Sequence, residues 1–200
     1  MTPPGRPALM NLPNLLTMLR MLLVPIFVAV LFIDGGNETS ARWWAGAVFA
    51  VAAITDRYDG QIARSRGQVT DFGKIADPIA DKALIGAALV GLSVLHEIFW
   101  WVTVVILVRE VGITLLRFMI LRYGVIAASP GGKLKTLIQV VAIGLYIIPL
   151  NVLSIPTGLL TWGRGGLMGV AIVLTLATGI DYLARASALV ARGRRTADTQ

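Results

Sequence analysis

The sequence has no cysteine and a single histidine. Without cysteine the chain can form neither a disulfide framework nor a thiolate metal site. Carboxylates are also scarce, because only eleven aspartates and glutamates stand against eighteen lysines and arginines. Apolar residues, in contrast, make up 56% of the chain, which is above the roughly 45–50% of a soluble domain. These proportions argue against an ordinary soluble fold.

Apolar stretches of about 20 residues, the length that crosses a bilayer, recur along the chain. No cleavage site follows the first stretch, so we expect it to remain as a span. We predict an all-α integral membrane protein with six transmembrane helices and a short interfacial helix at 8–12. The predicted spans are 15–33, 41–64, 73–95, 100–121, 134–150 and 165–183. We expect the last of them to continue as a helix into an arginine-bearing tail. Residues 151–163 are expected to form a turn region. The whole chain, 1–200, is expected to be one membrane-embedded domain with flexible cytoplasmic tails at 1–7 and 192–200.

Most basic residues lie at those ends of the predicted spans that are on the same side of the membrane as the two termini. The opposite ends carry only Arg42 and Arg164 among the cations, together with three acidic residues. Lysine and arginine mark cytoplasmic loops, so we predict that both termini and the acidic stretch 56–81 face the cytoplasm. The net charge of +7 suits anionic lipids or a phosphorylated substrate rather than a nucleic acid.

The most unusual stretch is 56–81, which holds five of the eleven carboxylates. Asp56 and Asp59 are spaced i, i+3 and Asp77 and Asp81 are spaced i, i+4, so each pair shares a helix face. Four carboxylates beside hydrocarbon are costly without a positive charge among them. Because no histidine or cysteine lies nearby, the pattern predicts two divalent ions of the hard type, Mg²⁺ or Mn²⁺. The simpler interpretation is a solvated helix face with surface ion pairs.

The small residues around these acids suggest a nucleotide site. Gly60 and Ala63 would let a flat group approach the helix backbone, and Arg64 could hold a phosphate or a base edge with its fork of donors. Small residues also mediate helix packing in membranes, so Gly60, Ala63 and Gly73 have a purely structural alternative.

The pattern D-x-x-D-G-x-x-A-R-x8-G-x3-D-x3-D, complete here from Asp56 to Asp81, resembles the motif of the CDP-alcohol phosphotransferase family. The resemblance covers nearly the whole chain and implies six spans and displacement of CMP by an alcohol. It implies that Asp56, Asp59, Asp77 and Asp81 bind the two metal ions, that Asp81 is also the catalytic base, and that the cytidine nucleotide is bound by the motif residues. These nucleotide contacts are Asp56, Asp59, Gly60, Ala63, Arg64 and Gly73, with Asn14 and Thr17 as weaker candidates.

Finer features resemble the bacterial members that make phosphatidylglycerophosphate from CDP-diacylglycerol and glycerol 3-phosphate. They are the segments 11–25, 77–82 and 132–136 and the Arg109–Glu110 pair with Arg117. An acceptor that carries a phosphate needs cations, and five basic residues are candidates. These are Arg109, Arg117, Lys133, Lys135 and Arg185. Arg109 could instead form an internal pair with Glu110, and the two lysines could simply set the topology. The family also suggests a homodimer.

Two alternatives remain open at this stage. A sibling transferase could use phosphatidylglycerol, giving cardiolipin, or inositol phosphate as its acceptor. A protein of another class, a cation channel or carrier, would line a conduction path with the same acids. The second alternative requires polar residues across the whole membrane, whereas the outer halves of these spans are rich in leucine, valine and alanine.

Overall fold

The computed structural model describes residues 12–65, 71–120, 130–153 and 155–197. Within these ranges the side chains of 12–14, 57–65, 71–78, 81, 130, 151 and 192–197 are not described. The described residues form α1 (Leu12–Leu31), α2 (Thr39–Ser65), α3 (Asp71–Val94), α4 (Trp100–Ile120), α5 (Pro130–Ile147) and α6 (Thr157–Ala197). Two 3₁₀ helices, Ile33–Gly36 and Leu150–Val152, lie between them. The predicted interfacial helix at 8–12 and the tail at 1–7 fall almost wholly outside these ranges.

The chain divides into two compact units. The first unit comprises Met1–Ile98 with Gly144–Val152, and the second comprises Phe99–Ile143 with Leu153–Gln200. Helix α5 therefore contributes most of its length to the second unit and its last turn to the first. The single domain expected from the sequence stays a prediction.

In the first unit α1 packs against both α2 and α3, and α2 packs against α3. The contact surfaces use small residues, with Ala45, Ala52 and Ala88 all fully buried. At Gly91 a Cβ atom would lie only 2.8 Å from the Leu31 side chain, so α1 and α3 cross closely there. Small residues at such crossings let helix backbones come into van der Waals contact. Such contact is a main source of attraction between helices in lipid.

A buried arginine closes the end of α5 in the first unit. Arg42 lies near the start of α2, is 5% exposed, and donates from Nε to the carbonyl of Ile147 (2.7 Å) and from Nη2 to that of Tyr146 (2.6 Å). Its Nη2 also contacts Glu97 at 2.9 Å. The last carbonyls of a helix have no partner within the helix, so the guanidinium satisfies groups that would otherwise be unpaired. Arg42 is thus an internal support as well as a charge at a span end.

Helix α6 begins earlier than predicted. The turn expected at 151–163 is wrong for its second half, because residues from Thr157 onward are helical. Pro156 precedes the first turn and accepts a bond from the Leu160 amide, which is where proline suits a helix start. Glycines of the kind found at 158 and 163 are tolerated in membrane helices more than in soluble ones. The backbone of 192–197 belongs to α6, and the flexible tail expected at 192–200 stays a prediction.

By length and composition, one segment of the described chain could cross a membrane, Thr157–Ala191 in α6. Two shorter apolar segments are Leu15–Leu31 and Lys82–Val94. Many large apolar side chains are exposed, among them Trp44 in α2, Trp101 in α4 and Ile180 in α6, at 57–69%. Extensive exposed hydrocarbon of this kind marks a surface that contacts lipid or another protein.

Candidate active site

Two packed helices of the first unit carry the aspartate motif. Asp56 to Arg64 lie in the last three turns of α2, and Gly73 to Asp81 lie in the first three turns of α3. The helical backbone preserves the spacing on which the prediction rests, so the members of each pair are about one turn apart. The side chains of Asp59, Gly60, Ala63, Arg64, Gly73, Asp77 and Asp81 lie outside those described, and their predicted roles stay predictions.

The one motif carboxylate that the structure describes is paired with an arginine of α1. Arg20 Nη1 donates to Asp56 Oδ1. The Arg20 side chain is 0% exposed and the Asp56 side chain is 37% exposed. Arg20 lies within the first predicted span, 15–33, and no functional role was predicted for it. An arginine inside an apolar helix signals a buried acid or a polar cavity, and that signal was available at residue 20.

Two other predicted nucleotide contacts lie on α1. Thr17 is one turn before Arg20 and is 1% exposed, so its hydroxyl lies in the interior of the first unit. Asn14 lies one turn earlier still, and its side chain is not described. Both assignments stay predictions.

In the second unit a carboxylate joins two of the predicted acceptor cations. Glu110 Oε1 accepts from Lys135 Nζ and from Arg109 Nη1, the latter at 3.0 Å. The Lys135 side chain is 4% exposed, and those of Glu110 and Arg109 are each 16% exposed. The internal pair between Arg109 and Glu110, weighed as an alternative from sequence, is therefore present.

Arg109 is also attached to α6. Its Nε donates to the carbonyl of Thr175 at 3.1 Å and its Nη2 donates to the hydroxyl of Thr178 at 2.7 Å. A Cβ atom at Gly179 would lie 3.4 Å from Arg109 Cγ, so the arginine stem rests against the α6 backbone. All three nitrogens of the guanidinium thus bind protein groups, and they join α4 to α6.

The remaining three cations are more exposed. The guanidinium of Arg117 lies 5.8 Å from the centre of the Tyr182 ring, within the range of a cation–π contact. Arg185 Nε pairs with Asp181 Oδ1 at 3.0 Å, with the arginine side chain 53% exposed. Lys133 is exposed near the start of α5. The structure therefore brings Arg109 and Lys135 together and leaves the other three on accessible surface.

Several buried polar atoms of the second unit have no hydrogen-bond partner among the described residues. Two of them are Oε1 of Gln139, a residue 3% exposed, and Oγ1 of Thr175, a residue 0% exposed. Gln139 lies one turn after Lys135 on α5. Buried acceptors are normally satisfied, so a polar molecule beside Lys135 would remove the cost at Gln139.

A family model described as CDP-alcohol phosphatidyltransferase matches residues 10–181. The chain belongs to the CDP-alcohol phosphatidyltransferase family. The match includes both aspartate pairs and four of the five candidate cations, and Arg185 lies beyond its end. It confirms the family assigned from the motif. The family is membrane-embedded and its members are enzymes, so the prediction of a transferase, rather than a channel, is confirmed.

Several relatives in this family are named for the synthesis of phosphatidylglycerophosphate. This is the group of bacterial enzymes that the segments 11–25, 77–82 and 132–136 resemble. A Mycobacterium tuberculosis H37Rv protein named probable phosphatidylglycerophosphate synthase is 52% identical over 193 residues, covering 96% of this chain and 90% of the relative. The Escherichia coli K12 protein named CDP-diacylglycerol–glycerol-3-phosphate 3-phosphatidyltransferase is 38% identical over 184 residues (89% and 96%). The Bacillus subtilis 168 protein of that name is 35% identical over 189 residues (88% and 94%).

CDP-alcohol phosphatidyltransferases generally depend on a divalent metal, and the donor chemistry of this chain fits one. Carboxylates are the ligands that Mg²⁺ and Mn²⁺ prefer, and the Asp56 carboxylate is partly exposed. Among the residues whose side chains are described, no group of three or more potential ligands is present. Three of the four aspartates of the motif lie outside that set, so the structure leaves the metal ligands as a proposal.

Proposed function

We propose that this protein transfers the phosphatidyl group of CDP-diacylglycerol to the sn-1 hydroxyl of glycerol 3-phosphate, giving phosphatidylglycerophosphate and CMP. The observation that carries the proposal is the complete eight-position motif on two helices that pack against each other. The names of the relatives support the choice of both substrates.

In this proposal Asp56, Asp59, Asp77 and Asp81 hold two divalent ions, Mg²⁺ or Mn²⁺. Two such ions, when bound, would neutralise the carboxylates and would supply positive charge for a displacement at phosphorus. A diphosphate is a suitable substrate for such a site, because hard cations bind its oxygens well.

Asp81 acts as the base. It takes the proton of the sn-1 hydroxyl while that oxygen forms a bond to the phosphorus of the phosphatidyl group. The bond from this phosphorus to the bridging oxygen of CMP breaks, and the electron pair leaves with CMP. A positioned carboxylate that accepts a proton in the transition state typically accelerates a reaction by about 10²–10⁴-fold.

The other motif residues bind the nucleotide. Gly60 and Ala63 leave room for it along α2, Arg64 holds a phosphate or the base, and Gly73, Asn14 and Thr17 are further candidates. The phosphate of the acceptor is bound by cations drawn from Arg109, Arg117, Lys133, Lys135 and Arg185. The orphan oxygen of Gln139, one turn from Lys135, supports a polar ligand near that lysine.

Placement in the membrane is part of the proposal. Six spans cross the bacterial inner membrane, with both termini and the nucleotide site on the cytoplasmic side and the acyl chains in lipid. The excess of lysine and arginine at the shared span ends supports this orientation. The protein acts as a homodimer.

The deciding experiment is an acceptor assay. Purified protein with CDP-diacylglycerol and Mn²⁺ or Mg²⁺ is given glycerol 3-phosphate, inositol phosphate or phosphatidylglycerol, and CMP release is measured. We expect release with glycerol 3-phosphate at least about 100-fold faster than with the others, since a site built for one phosphorylated acceptor leaves polar groups unpaired with another. Release only with inositol phosphate or phosphatidylglycerol would identify a sibling transferase instead.

A further inference from the structure

We propose that Arg20 is a positioning residue for the metal-binding carboxylate of Asp56. The inference rests on the proposed function, because it assumes that Asp56 is a metal ligand. Arg20 is not part of the motif and lies on a different helix, α1. It holds Asp56 Oδ1 and so fixes the orientation in which the carboxylate meets a divalent ion.

The difference in burial between Arg20 and Asp56 indicates which side chain supports and which one can bind a ligand. The Arg20 side chain has no exposed surface, whereas more than a third of the Asp56 side chain is exposed. A guanidinium with no exposed surface cannot contact a nucleotide or an acceptor. The carboxylate can reach a ligand, so Arg20 acts on the reaction through Asp56.

The surroundings make Arg20 a rigid support. α1 packs against α2 and α3, the two helices that carry the aspartate pairs. The buried face of α1 includes Thr17, one turn before Arg20, and Phe27 and Leu31 beyond it, all at most 1% exposed. A planar guanidinium enclosed in this way presents its donors in a fixed fork. Ligands held by a packed supporting group keep their geometry when the metal is absent.

The ion pair between Arg20 and Asp56 also has an electrostatic effect on the proposed metal site. If the four motif carboxylates share one site, as the proposed function requires, they repel one another until divalent ions bind. The fixed positive charge of Arg20 reduces that repulsion at Asp56 beforehand, so less rearrangement is needed when a metal binds. Partners that orient metal ligands in this way typically contribute 10–100-fold in metal affinity.

The test compares two buried arginines of the first unit in the full-length protein, held in detergent or nanodiscs. Arg20→Met removes the support of Asp56. Arg42→Met removes the other buried arginine, whose side chain is 6% exposed and which binds Glu97 and the carbonyls of Tyr146 and Ile147. Mn²⁺ binding is measured by the loss of the free-ion signal in electron paramagnetic resonance. We expect Arg20→Met to weaken Mn²⁺ binding at least 10-fold and Arg42→Met to change it less than 2-fold.

A kinetic measurement accompanies the binding measurement. The Mn²⁺ concentration for half-maximal CMP release should rise in Arg20→Met in proportion to the loss of binding. The KM for glycerol 3-phosphate at saturating Mn²⁺ should stay within 2-fold, since Arg20 does not touch the acceptor. Wild-type Mn²⁺ affinity in Arg20→Met, or an equal loss in Arg42→Met, would overturn the positioning role.

Two further variants cover the case in which Arg20→Met does not fold. Arg20→Lys keeps the charge but loses the fork, and we expect it to retain the thermal midpoint while losing about 3–10-fold in Mn²⁺ affinity. Asp56→Asn should make the Arg20→Lys change silent, because Arg20 acts through that carboxylate. Additive losses in the double variant would refute the inference. Failure of the proposed function would give a different result from failure of this inference, because the wild type itself would then show no Mn²⁺-dependent CMP release.

Discussion

The two units of the molecule use buried ion pairs in opposite ways. In the first unit a fully buried arginine, Arg20, supports a carboxylate that is 37% exposed. In the second unit a carboxylate, Glu110, joins two cations, of which Lys135 is 4% exposed and Arg109 is 16% exposed. The first arrangement leaves an acid accessible to a ligand, and the second encloses the cations.

This difference separates side chains that can reach a ligand from those that hold others in place. Asp56 can meet a metal ion without breaking its pair. Lys135 and Arg109 share the Glu110 carboxylate, and little of either side chain is exposed to a ligand. Among the candidate acceptor cations, the ones already accessible are Arg117, Lys133 and Arg185.

The largest expected effect tests the first unit. Asp81→Asn should reduce CMP release by at least about 10³-fold, because the acceptor alcohol loses its proposed base. Affinity for CDP should stay within about 3-fold, since the other three proposed ligands, Asp56, Asp59 and Asp77, are unchanged. Steady-state assays and calorimetric titration with CDP in the presence of Mn²⁺ measure the two quantities. Equal losses of turnover and affinity would make Asp81 a ligand only and not the base.

The second prediction tests the enclosed network of the second unit. Glu110→Gln leaves two poorly exposed cations without their shared carboxylate, and breaking a buried pair from one side costs about 3–5 kcal/mol. The matched control is Glu97→Gln, whose partner Arg42 keeps the carbonyls of Tyr146 and Ile147. We therefore expect Glu97→Gln to lower the free energy of unfolding by only about 1 kcal/mol. Denaturation in detergent, followed by circular dichroism, would show the contrast, and equal losses in the two variants would contradict it.

Local patterns predicted most of the helices but not their long-range partners. The predicted spans start and end within about four residues of α1 to α5, because apolar runs and turn residues mark a helix wherever it packs. The start of α6 was predicted too late, at 165 instead of Thr157, since glycines at 158 and 163 resemble a loop in a soluble protein. In a membrane helix those glycines carry a smaller cost.

The candidate site shows the same division between local and distant information. Spacing alone predicted that each aspartate pair shares a helix face, and α2 and α3 have the required helical backbone. The partners Arg20 and Asp56 are 36 residues apart, and Arg42 and Ile147 are 105 apart. No periodicity in one sequence specifies such pairs. Arg109 and Glu110 are neighbours in sequence, so their contact could be weighed beforehand, whereas the hold of Arg109 on α6 could not.

The third prediction tests whether the more exposed candidate cations are the ones that bind the acceptor phosphate. Arg117→Ala should raise the KM for glycerol 3-phosphate about 10-fold, equivalent to about 1.4 kcal/mol, and should leave the KM for CDP-diacylglycerol within 2-fold. Arg117→Lys, which keeps the charge, should recover part of the loss. Initial-rate measurements with each substrate varied in turn give both constants. A larger effect on CDP-diacylglycerol would remove Arg117 from the acceptor site.

The smallest expected effect separates a surface pair from the enclosed network. Asp181 and Arg185 are spaced i, i+4 on α6, with side chains 45% and 53% exposed, and such pairs contribute about 0.3–0.5 kcal/mol. Asp181→Asn should therefore move the thermal midpoint by less than about 2 °C, while Arg185 stays available to a phosphate. If Arg185 binds the acceptor, releasing it from Asp181 should lower the KM for glycerol 3-phosphate slightly, and Arg185→Ala should raise it. A large loss of stability in Asp181→Asn would mean that this pair is a structural support like Glu110 with its cations, and that exposure does not distinguish the two kinds of contact.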